Sequence, residues 1–373
     1  MDRLLATGLA LFCVAAIAAG AADERLKTNV ECYRIFGSEH PGIYKHPASI
    51  TELDNGDLYV AYYGGSGEYE DDTAVYGSRL VKGDTQWTFP VAIADTPDRG
   101  EGNPVVWQAP DGVVWLFYVN RYGPTWSNAR VKAKISKDGA RTWSDSFMFH
   151  FQEGSMVRGR PIVLNDGDYL LPMYFETGED IERTAEDTAS FFMRYNPKEK
   201  TWTQTNLIHS PTGNLQAEPA QLSDTHLVAY IRRGGNFLPT DKGYTLRAES
   251  NDGGHTWSDA VDSQFLNPNS AVAFLRLENG HLLLVYNDNM NERSPLTVAI
   301  STDEDKTYPY RRDIMGGENT YAYPYAIQTK DGKIHIICTT NVRTTILHIV
   351  FEESAILESA WPKNRDNMPA PQQ

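Results

Sequence analysis

Residues 250–257 read SNDGGHTW, a sequence that predicts a tight turn between two β-strands. In the pattern S-x-D-x-G-x-T-W, the Asp side chain caps its own turn, a Gly supplies left-handed backbone, and the Trp packs against a neighbouring unit. Related sequences, which we call Asp boxes, occur at residues 136–143 (SKDGARTW) and 301–308 (STDEDKTY). Their recurrence indicates a chain built of repeats, and we assign the boxes a structural role rather than a catalytic one.

A two-residue turn between apolar, Tyr-rich runs recurs six times along the chain. Its second position falls at residues 56, 112, 167, 225, 280 and 332, in steps of 52 to 58 residues. The flanking runs are strand-like, so each turn predicts a β-hairpin. An aromatic residue about 30 residues after most of these turns, from Trp87 to Tyr308, keeps nearly the same period. Two independent markers therefore share one repeat length.

A repeat of about 55 residues with four strands is typical of a propeller blade. The sequence thus predicts an all-β fold, a six-bladed β-propeller, that fills residues 22–361 as a single domain. The segment Asn29–Phe36 is then the spare strand that closes the last blade. Cys32 and Cys338 fall in that blade, either as a disulfide in an oxidising compartment or as two buried thiols.

The two ends of the chain differ in composition from the repeats. A single basic residue, Arg3, precedes an uncharged Ala/Leu-rich run that ends in Ala19-Gly20-Ala21. This pattern is typical of a secretory signal peptide, which we assign to residues 1–21, with a retained membrane anchor as the alternative. Residues 362–373 form a polar tail. We therefore expect a secreted or periplasmic protein without membrane contact once the signal is cleaved.

Charge and composition exclude several classes of function. There are 34 Lys+Arg and 49 Asp+Glu, so the net charge is −15, and nucleic acid and anionic membranes would be repelled. With 41% hydrophobic and 22% charged residues, the chain is not globally disordered. It contains no nucleotide-binding loop, no nucleophile elbow and no metal-ligand spacing, so it implies no cofactor and no metal.

Each predicted blade begins with a polar residue followed by proline. Proline is tolerated at the start of a strand because it costs no ladder hydrogen bond there. The first strands of a propeller line its channel, so the six preceding side chains are expected to meet around one mouth. Their varied chemistry indicates a binding site on a repeat scaffold, the alternative being unrelated residues satisfied by local hydrogen bonds. These ring residues are His46, Asn103, Arg160, Glu218, Asn267 and Tyr323.

The second strand of each hairpin returns to the same end, where the sequence is again polar. Several arginines in one mouth of an acidic protein indicate an anionic ligand, such as a sugar that bears a carboxylate. Tyr122, Trp126 and Tyr325 provide either a stacking surface for a sugar or packing between blades. The charged residues at these strand ends are Glu68, Glu70, Asp71, Asp72, Arg121, Glu176, Arg232, Asp288, Arg293 and Arg343.

With its Asp boxes, six-fold period, Glu218-Pro219, Arg232 and Ala322-Tyr323-Pro324, the chain resembles the sialidase superfamily, specifically its bacterial BNR-repeat branch. The resemblance covers nearly all of the mature chain. It implies a retaining glycosidase in which three arginines hold the substrate carboxylate, a Tyr activated by a Glu is the nucleophile, and an Asp is the acid/base.

The resemblance assigns catalytic roles residue by residue. Tyr323 matches the nucleophile and Glu218 its activating carboxylate. The acid/base position aligns with Glu70, and Asp72 two residues further on is the second candidate. The family's first arginine falls on His46, whereas Tyr33-Arg34-Ile35, which looks like the opening motif, lies too far ahead of the first blade.

The remaining site residues are predicted to bind the substrate. Arg232 and Arg293 match the second and third arginines of the family. We expect the carboxylate to be held by Arg160, Arg232, Arg293 and Arg343. We expect the sugar hydroxyls to be held by His46, Asn103, Glu176 and Asn267.

The sequence thus predicts an exported glycoside hydrolase of the exo-α-sialidase type, which releases an acidic terminal sugar from glycans. Two alternatives stay open. One is a polysaccharide lyase or another glycosidase acting on uronic-acid glycans, with His46 and a tyrosine as base and acid. The other is a propeller that binds glycans without catalysis.

Overall fold

The computed structural model describes residues 30–181 and 183–358, and these form 25 strands in six antiparallel sheets. The predicted signal peptide and polar tail lie outside the described residues. Within the described ranges, no helix is long and apolar enough to cross a membrane. The six sheets follow one another along the chain, and each supplies one blade of a β-propeller, as the repeat period predicts.

The N-terminal strand β1 (Val30–Phe36) precedes the first blade. Blade 1 consists of β2 (Tyr44–Glu52), β3 (Leu58–Gly65), β4 (Ala74–Leu80) and β5 (Val91–Ala94). Blade 2 consists of β6 (Glu101–Gln108), β7 (Val114–Arg121), β8 (Ala129–Ser136) and β9 (Phe147–His150), with a 3₁₀ turn at Trp126–Asn128. Blade 3 consists of β10 (Ser155–Val157), β11 (Ile162–Val163), β12 (Tyr169–Phe175), β13 (Ala189–Asn196) and β14 (Thr201–Gln204).

Blade 4 consists of β15 (Asn214–Gln221), β16 (Leu227–Arg233), β17 (Tyr244–Ser250) and β18 (Val261–Leu266). Blade 5 consists of β19 (Ala273–Arg276), β20 (Leu282–Asn287), β21 (Leu296–Ser301) and β22 (Tyr310–Met315). Blade 6 consists of β23 (Ala322–Gln328), β24 (Ile334–Thr340) and β25 (Thr345–Phe351), followed by the helical turn α1 (Ser354–Leu357).

Strand β1 completes blade 6 by pairing antiparallel with β25, in the sheet order β1-β25-β24-β23. The predicted closing strand is therefore confirmed. A Cys32–Cys338 disulfide is excluded, because Cys32 lies on β1 and Cys338 on β24, with β25 between them. Two strands apart means about 10 Å, beyond the roughly 7 Å Cα separation that a disulfide spans. Both thiols are free; Cys338 is buried as expected, but Cys32 is exposed.

The six predicted hairpin turns all join the first and second strands of a blade, although in blade 3 the first strand is split into β10 and β11 and the turn follows β11. The Asp boxes close the hairpins between outer strands and serve the fold, as expected. In blade 4, Asp252 Oδ1 accepts hydrogen bonds from Ser250 Oγ (2.8 Å) and the Thr256 amide (2.9 Å). The Trp257 ring packs on Phe192 of blade 3, with ring centroids 4.4 Å apart. An aromatic from one blade thus seals the interface with its neighbour.

The apolar core lies between adjacent blades. One cluster joins Tyr230 of β16 to Phe274 of β19 and Tyr286 of β20, and so spans blades 4 and 5. The inner strands are almost completely buried, whereas the outer strands β5, β9, β14 and β18 have exposed faces. The buried inner strands form a rigid ring around the channel, which fixes the position of any side chain that they turn into its mouth.

Candidate active site

A β-bulge in the first strand of a blade sets the side chains at the channel mouth. The pairing of first and second strands skips two residues in blades 1, 2, 4 and 6, beginning at His46, Asn103, Gln216 and Tyr323 respectively. The last three of these have left-handed backbone, with φ of 42°, 61° and 54°. A bulge bends the strand and redirects its side chain. All four side chains line one pocket.

In blades 1, 2, 4 and 6 the bulge, rather than the proline, marks the equivalent position. Continuing the spacing of the bulges, in steps of 53 to 58 residues, places the other two ring positions at Arg158 and Asn269. The predicted ring therefore needs a correction of two residues in blades 3, 4 and 5. Arg158 replaces Arg160, Gln216 replaces Glu218, and Asn269 replaces Asn267.

The three displaced residues do not line the pocket, and of their replacements only Gln216 does. Asn267 holds its own loop, because its side chain accepts from the Ser270 amide (2.8 Å) and donates to the Ser270 carbonyl (2.9 Å). Glu218 lies buried in the channel, where Oε1 accepts from Arg158 Nη1 at 2.8 Å and Oε2 from the Arg160 amide at 3.1 Å. The Arg160 side chain is half-buried next to this pair.

Tyr323 lies on the pocket floor among several arginines. Its hydroxyl accepts hydrogen bonds from Arg232 Nη1 at 2.6 Å and from Gln216 Nε2 at 3.4 Å. The guanidinium carbons of Arg158, Arg232 and Arg293 each lie 5.6 Å from the centre of its ring. Burial alone would raise the pKa of Tyr323, but Arg232 and Arg293 outweigh it, and the pKa lies below its ordinary value. The two arginines thus stabilise the phenolate form of Tyr323 against the effect of burial.

Three of the four predicted carboxylate-binding arginines line the pocket: Arg232, Arg293 and Arg343. Asn269 organises the first two, since its side-chain oxygen accepts from Arg232 Nε (2.7 Å) and its carbonyl from Arg293 Nη2 (3.0 Å). Arg343 donates to the Tyr44 hydroxyl at 2.9 Å and pairs with Glu68. The pocket therefore concentrates positive charge on a protein of net charge −15.

Arg343 is supplied by a strained turn between β24 and β25. Three consecutive residues, Asn341, Val342 and Arg343, have left-handed backbone with φ of 50°, 52° and 63°. This conformation is unfavourable for a β-branched residue such as Val342, which is also 85% exposed. The Arg343 carbonyl accepts from the Lys45 amide at 2.7 Å, which ties the turn to the residue before His46. Strain of this kind is found where structure serves a site.

Among the acidic residues, Glu68 and Glu176 line the pocket, whereas Glu70 and Asp72 are exposed and do not. The Asp72 carboxylate instead accepts from the Ser66 amide at 3.0 and 3.1 Å and closes the loop after β3. Burial raises the pKa of Glu176 to about 7, Arg232 opposes the rise, and the charge of Glu68 adds to it. Glu176 is therefore the pocket carboxyl that can carry a proton near neutral pH.

His46 lies against Tyr323, with ring centroids 4.1 Å apart at an interplanar angle of 73°. Its Nδ1 lies 2.8 Å from the Thr339 hydroxyl, and its buried Nε2 has no hydrogen-bond partner among residues 30–181 and 183–358. Burial, together with four nearby arginines, lowers the pKa of His46 well below its ordinary value. The imidazole is thus neutral.

The remaining predicted polar and aromatic contacts divide between the pocket and its surroundings. Asn103 Nδ2 donates to the Tyr174 hydroxyl at 3.2 Å, and both residues line the pocket. Trp126 is also a lining residue, whereas Tyr325 is buried in the channel and Tyr122 lies under the Arg99 side chain on the surface. In the described part of the chain, no three His, Cys, Asp or Glu residues are grouped to hold a metal ion.

The sequence matches the family model described as a BNR repeat-like domain over residues 56–336, three quarters of the chain. The chain belongs to the BNR repeat-like family. Its fold is a six-bladed β-propeller, as the sequence predicts.

Solved structures share the fold of this BNR repeat-like protein at low sequence identity. A Hadza microbial sialidase superposes with a TM-score of 0.73 at 18% identity, over 87% of this chain and 69% of the other. The NanB sialidase of Streptococcus pneumoniae gives 0.71 at 10% identity, over 87% and 71%. An α-L-arabinofuranosidase from Fusarium graminearum gives 0.65 at 11% identity, over 88% and 99%. No curated protein matches the sequence.

The surroundings of Tyr323 differ from those that the resemblance to sialidases predicts. Within the described residues, the hydrogen bonds to the Tyr323 hydroxyl come from Arg232 and Gln216 rather than from Glu218. Glu218 pairs with Arg158 instead, and burial raises the pKa of this carboxyl to about 7 against the opposing charge of Arg158. Arg34, in the predicted opening motif on the outer strand β1, pairs with exposed Glu39 in the turn after that strand, away from the pocket.

Sequence reasoning missed Arg158 and Gln216 and left Glu68 unassigned to a role. Arg158 and Gln216 each stand two residues before an X-Pro pair, so a count of the repeat from blades 1, 2 and 6 identifies them. The direction of Glu68 depends on how the loop after β3 folds, and its partners Tyr44 and Arg343 are 24 and 275 residues away in sequence. No local pattern reports such contacts.

Proposed function

We propose that the chain is an exported glycoside hydrolase of the sialidase type, which releases an acidic terminal sugar with retention of configuration. The observation that carries this proposal is the Tyr323 hydroxyl, buried at the pocket floor and held at 2.6 Å by Arg232. A phenol is a weak nucleophile at neutral pH unless its pKa is lowered. Arg232 and Arg293 supply that effect here.

The arginines of the pocket support an acidic sugar as the substrate. Arg293 and Arg343 line the pocket on the side of blades 5 and 6, next to Tyr323. A guanidinium binds a carboxylate through charge-assisted hydrogen bonds, which are about twice as strong as neutral ones. Glu68 pairs with Arg343 and orients it. A substrate carboxylate that binds Arg343 therefore shares this arginine with the Glu68 carboxylate.

The proposed reaction has two steps. The phenolate of Tyr323 forms a bond to the anomeric carbon as the bond to the leaving oxygen breaks, and Glu176 gives its proton to that oxygen. Glu176 then takes a proton from water, whose oxygen displaces Tyr323 from the sugar. A general acid works best when its pKa lies near the working pH, which favours Glu176 over the ion-paired Glu68.

A lyase acting on a uronic acid is the second candidate, and the state of His46 favours it. A neutral imidazole with a free ring nitrogen can take a proton from carbon next to a carboxylate, while Tyr323 protonates the leaving oxygen. This reaction would give an unsaturated sugar that absorbs in the near ultraviolet. Hydrolysis gives no such product.

The test compares wild type with Tyr323→Phe on a panel of fluorogenic glycosides of acidic sugars, including an α-sialoside. We expect turnover to fall to background while ligand binding is retained. Tyr325→Phe is the matched control, because this buried tyrosine stands two residues away and its hydroxyl has no hydrogen-bond partner. Unchanged turnover in Tyr323→Phe would refute the proposal. A product that absorbs in the near ultraviolet would refute it too and would support the lyase.

A further inference from the structure

The pocket presents an unusual feature directly beside the proposed nucleophile, a buried ring nitrogen with no partner. His46 is 1% exposed and lines the pocket, and its Nε2 makes no hydrogen bond within the part of the chain that the structure describes. A buried polar atom left unpaired costs about 1–3 kcal/mol. Such an atom at the floor of a pocket points to a ligand group that pairs with it.

The hydrogen bonds of Thr339 fit one tautomer of His46. A carbonyl oxygen only accepts, and in this arrangement the Thr339 hydroxyl gives its single proton to the Ala322 carbonyl at 3.2 Å. The hydroxyl then accepts from His46 Nδ1 across the 2.8 Å contact. In this tautomer Nδ1 carries the proton and Nε2 presents a lone pair, and the nitrogen-15 experiment below measures it.

The surroundings keep the ring in this form. The charged groups that face His46 are Arg158, Arg232, Arg293 and Arg343, and all four oppose a second proton on the ring. The other titratable neighbours are Tyr44, Tyr63 and Tyr323, whose ring centroids lie 6.0, 6.3 and 4.1 Å away. The position next to Tyr323 on the blade 1 side is therefore a hydrogen-bond acceptor, and a ligand must offer it a donor.

A carboxylate has no donor, and its lone pairs would repel that of Nε2. A sugar whose anomeric carbon itself bears a carboxylate, as in sialic acid, brings this group next to the atom that Tyr323 attacks. In a uronic acid, the carbon next to the anomeric carbon bears a hydroxyl, and the carboxylate lies across the ring. The uronic acid thus places a donor beside Tyr323 and leaves its carboxylate for Arg293 and Arg343.

We propose that the bound sugar is a uronic acid, and that the hydroxyl adjacent to its anomeric carbon donates to His46 Nε2. This inference rests on the proposed function for the position of the anomeric carbon at Tyr323. The inference concerns the class of substrate, and both hydrolysis and elimination could act on a uronic acid. An experiment can therefore refute the hydrolase mechanism without refuting the substrate class.

The first experiment measures kcat/KM of wild type on aryl glucuronides and galacturonides of both anomeric configurations and on an aryl α-sialoside. We expect a uronide to be preferred. Removing the hydroxyl next to the anomeric carbon of that uronide should lower kcat/KM by roughly 5- to 150-fold, the cost of leaving Nε2 unpaired.

Variants of His46 show whether that hydroxyl acts through this ring. His46→Phe should lose a similar factor on the intact uronide and lose little more on the deoxy compound. His46→Gln, which retains an acceptor oxygen, should recover part of the loss. If the two losses multiply instead, the hydroxyl and His46 do not interact and the inference is wrong.

Nitrogen-15 NMR of wild type gives a readout that needs no stable variant. The ring of His46 should show protonated Nδ1 and unprotonated Nε2 at pH 6 to 8, and the Nε2 resonance should move when glucuronate or galacturonate is added. A protonated Nε2 overturns the inference, as does preferred cleavage of the sialoside. Uronate binding with the Nε2 shift, but without hydrolysis, keeps the inference and refutes the proposed hydrolase.

Discussion

Replacing Arg232 with glutamine tests how Tyr323 is activated. Arg232 Nη1 donates to the Tyr323 hydroxyl at 2.6 Å, while Nε is held by Asn269 at 2.7 Å, so the contact is both short and positioned. Arg232→Gln removes the charge and this hydrogen bond. The pKa of Tyr323 should then rise, because burial is no longer opposed by the strongest of the two favourable charges.

The size of the effect follows from the bond that is lost. A hydrogen bond to a charged group contributes about 1.5–3 kcal/mol. If that stabilisation is present in the transition state, its loss lowers kcat/KM by roughly 10- to 150-fold. Arg232→Lys keeps the charge but not the forked geometry and should fall between the two proteins.

Ultraviolet titration of tyrosinate measures the change directly. The chain has 20 tyrosines, so Tyr323 is isolated as the difference between each protein and its Tyr323→Phe counterpart. Arg233→Gln is the matched control, since Arg233 follows on the same strand and does not line the pocket. Equal tyrosinate titration and equal kcat/KM in wild type and Arg232→Gln would refute the electrostatic account of activation.

Four further results are expected. Burial raises the pKa of Glu101 from 4.5 to about 7, so the ionised carboxylate destabilises the fold as the pH rises. Between pH 5 and 8, the free energy of unfolding of Glu101→Gln in urea should therefore gain up to about 3 kcal/mol relative to that of wild type. Parallel pH profiles of the two proteins would contradict this. Asp252→Ala removes the cap of an Asp box and should lower the free energy of unfolding by about 1–3 kcal/mol with kcat/KM unchanged; a loss of activity in the folded variant would give the box a role in the site. Burial lowers the pKa values of the paired residues His335 and His348 to about 4 and about 3. The protein should therefore lose stability as the pH falls from 6.5 towards 4, because these histidines take up protons first in the unfolded state. In thermal unfolding, His348→Gln should show a smaller loss than wild type. Glu176→Gln should abolish the fall of kcat/KM that wild type shows as the pH rises through about 7, and a retained fall would assign it to another group.

The fold was predictable because its signals are local. A turn such as Asn55-Gly56 or an Asp box fixes its own hairpin, and six copies at one period define the blades. The closing strand β1 followed from simple counting. Whether Cys32 bonds to Cys338 could not be predicted in this way. The repeat places both residues in one blade but does not show that β25 lies between their strands.

The site was predictable only in part, because its geometry depends on contacts distant in sequence. In blades 1, 2 and 6, proline is the residue directly after the first bulge residue. The pattern of a polar residue before proline therefore identified His46, Asn103 and Tyr323. Elsewhere the bulge and the proline are out of phase, and Arg158 is recognised only by its partners, Glu218 and the carbonyls of Val272 and Pro324. The acidic run after β3 could not be resolved, since the loop turns Glu68 inward through contacts with blade 6.

The central claim is that Tyr323 forms a covalent bond to the sugar. The most direct measurement is mass spectrometry of peptides from protein quenched during turnover of the best aryl glycoside found in the panel. We predict a peptide containing Tyr323 that is heavier by one glycosyl residue, and no such peptide from Tyr323→Phe. Turnover with the adduct on another residue, or steady hydrolysis with no adduct at any quench time, would contradict the account.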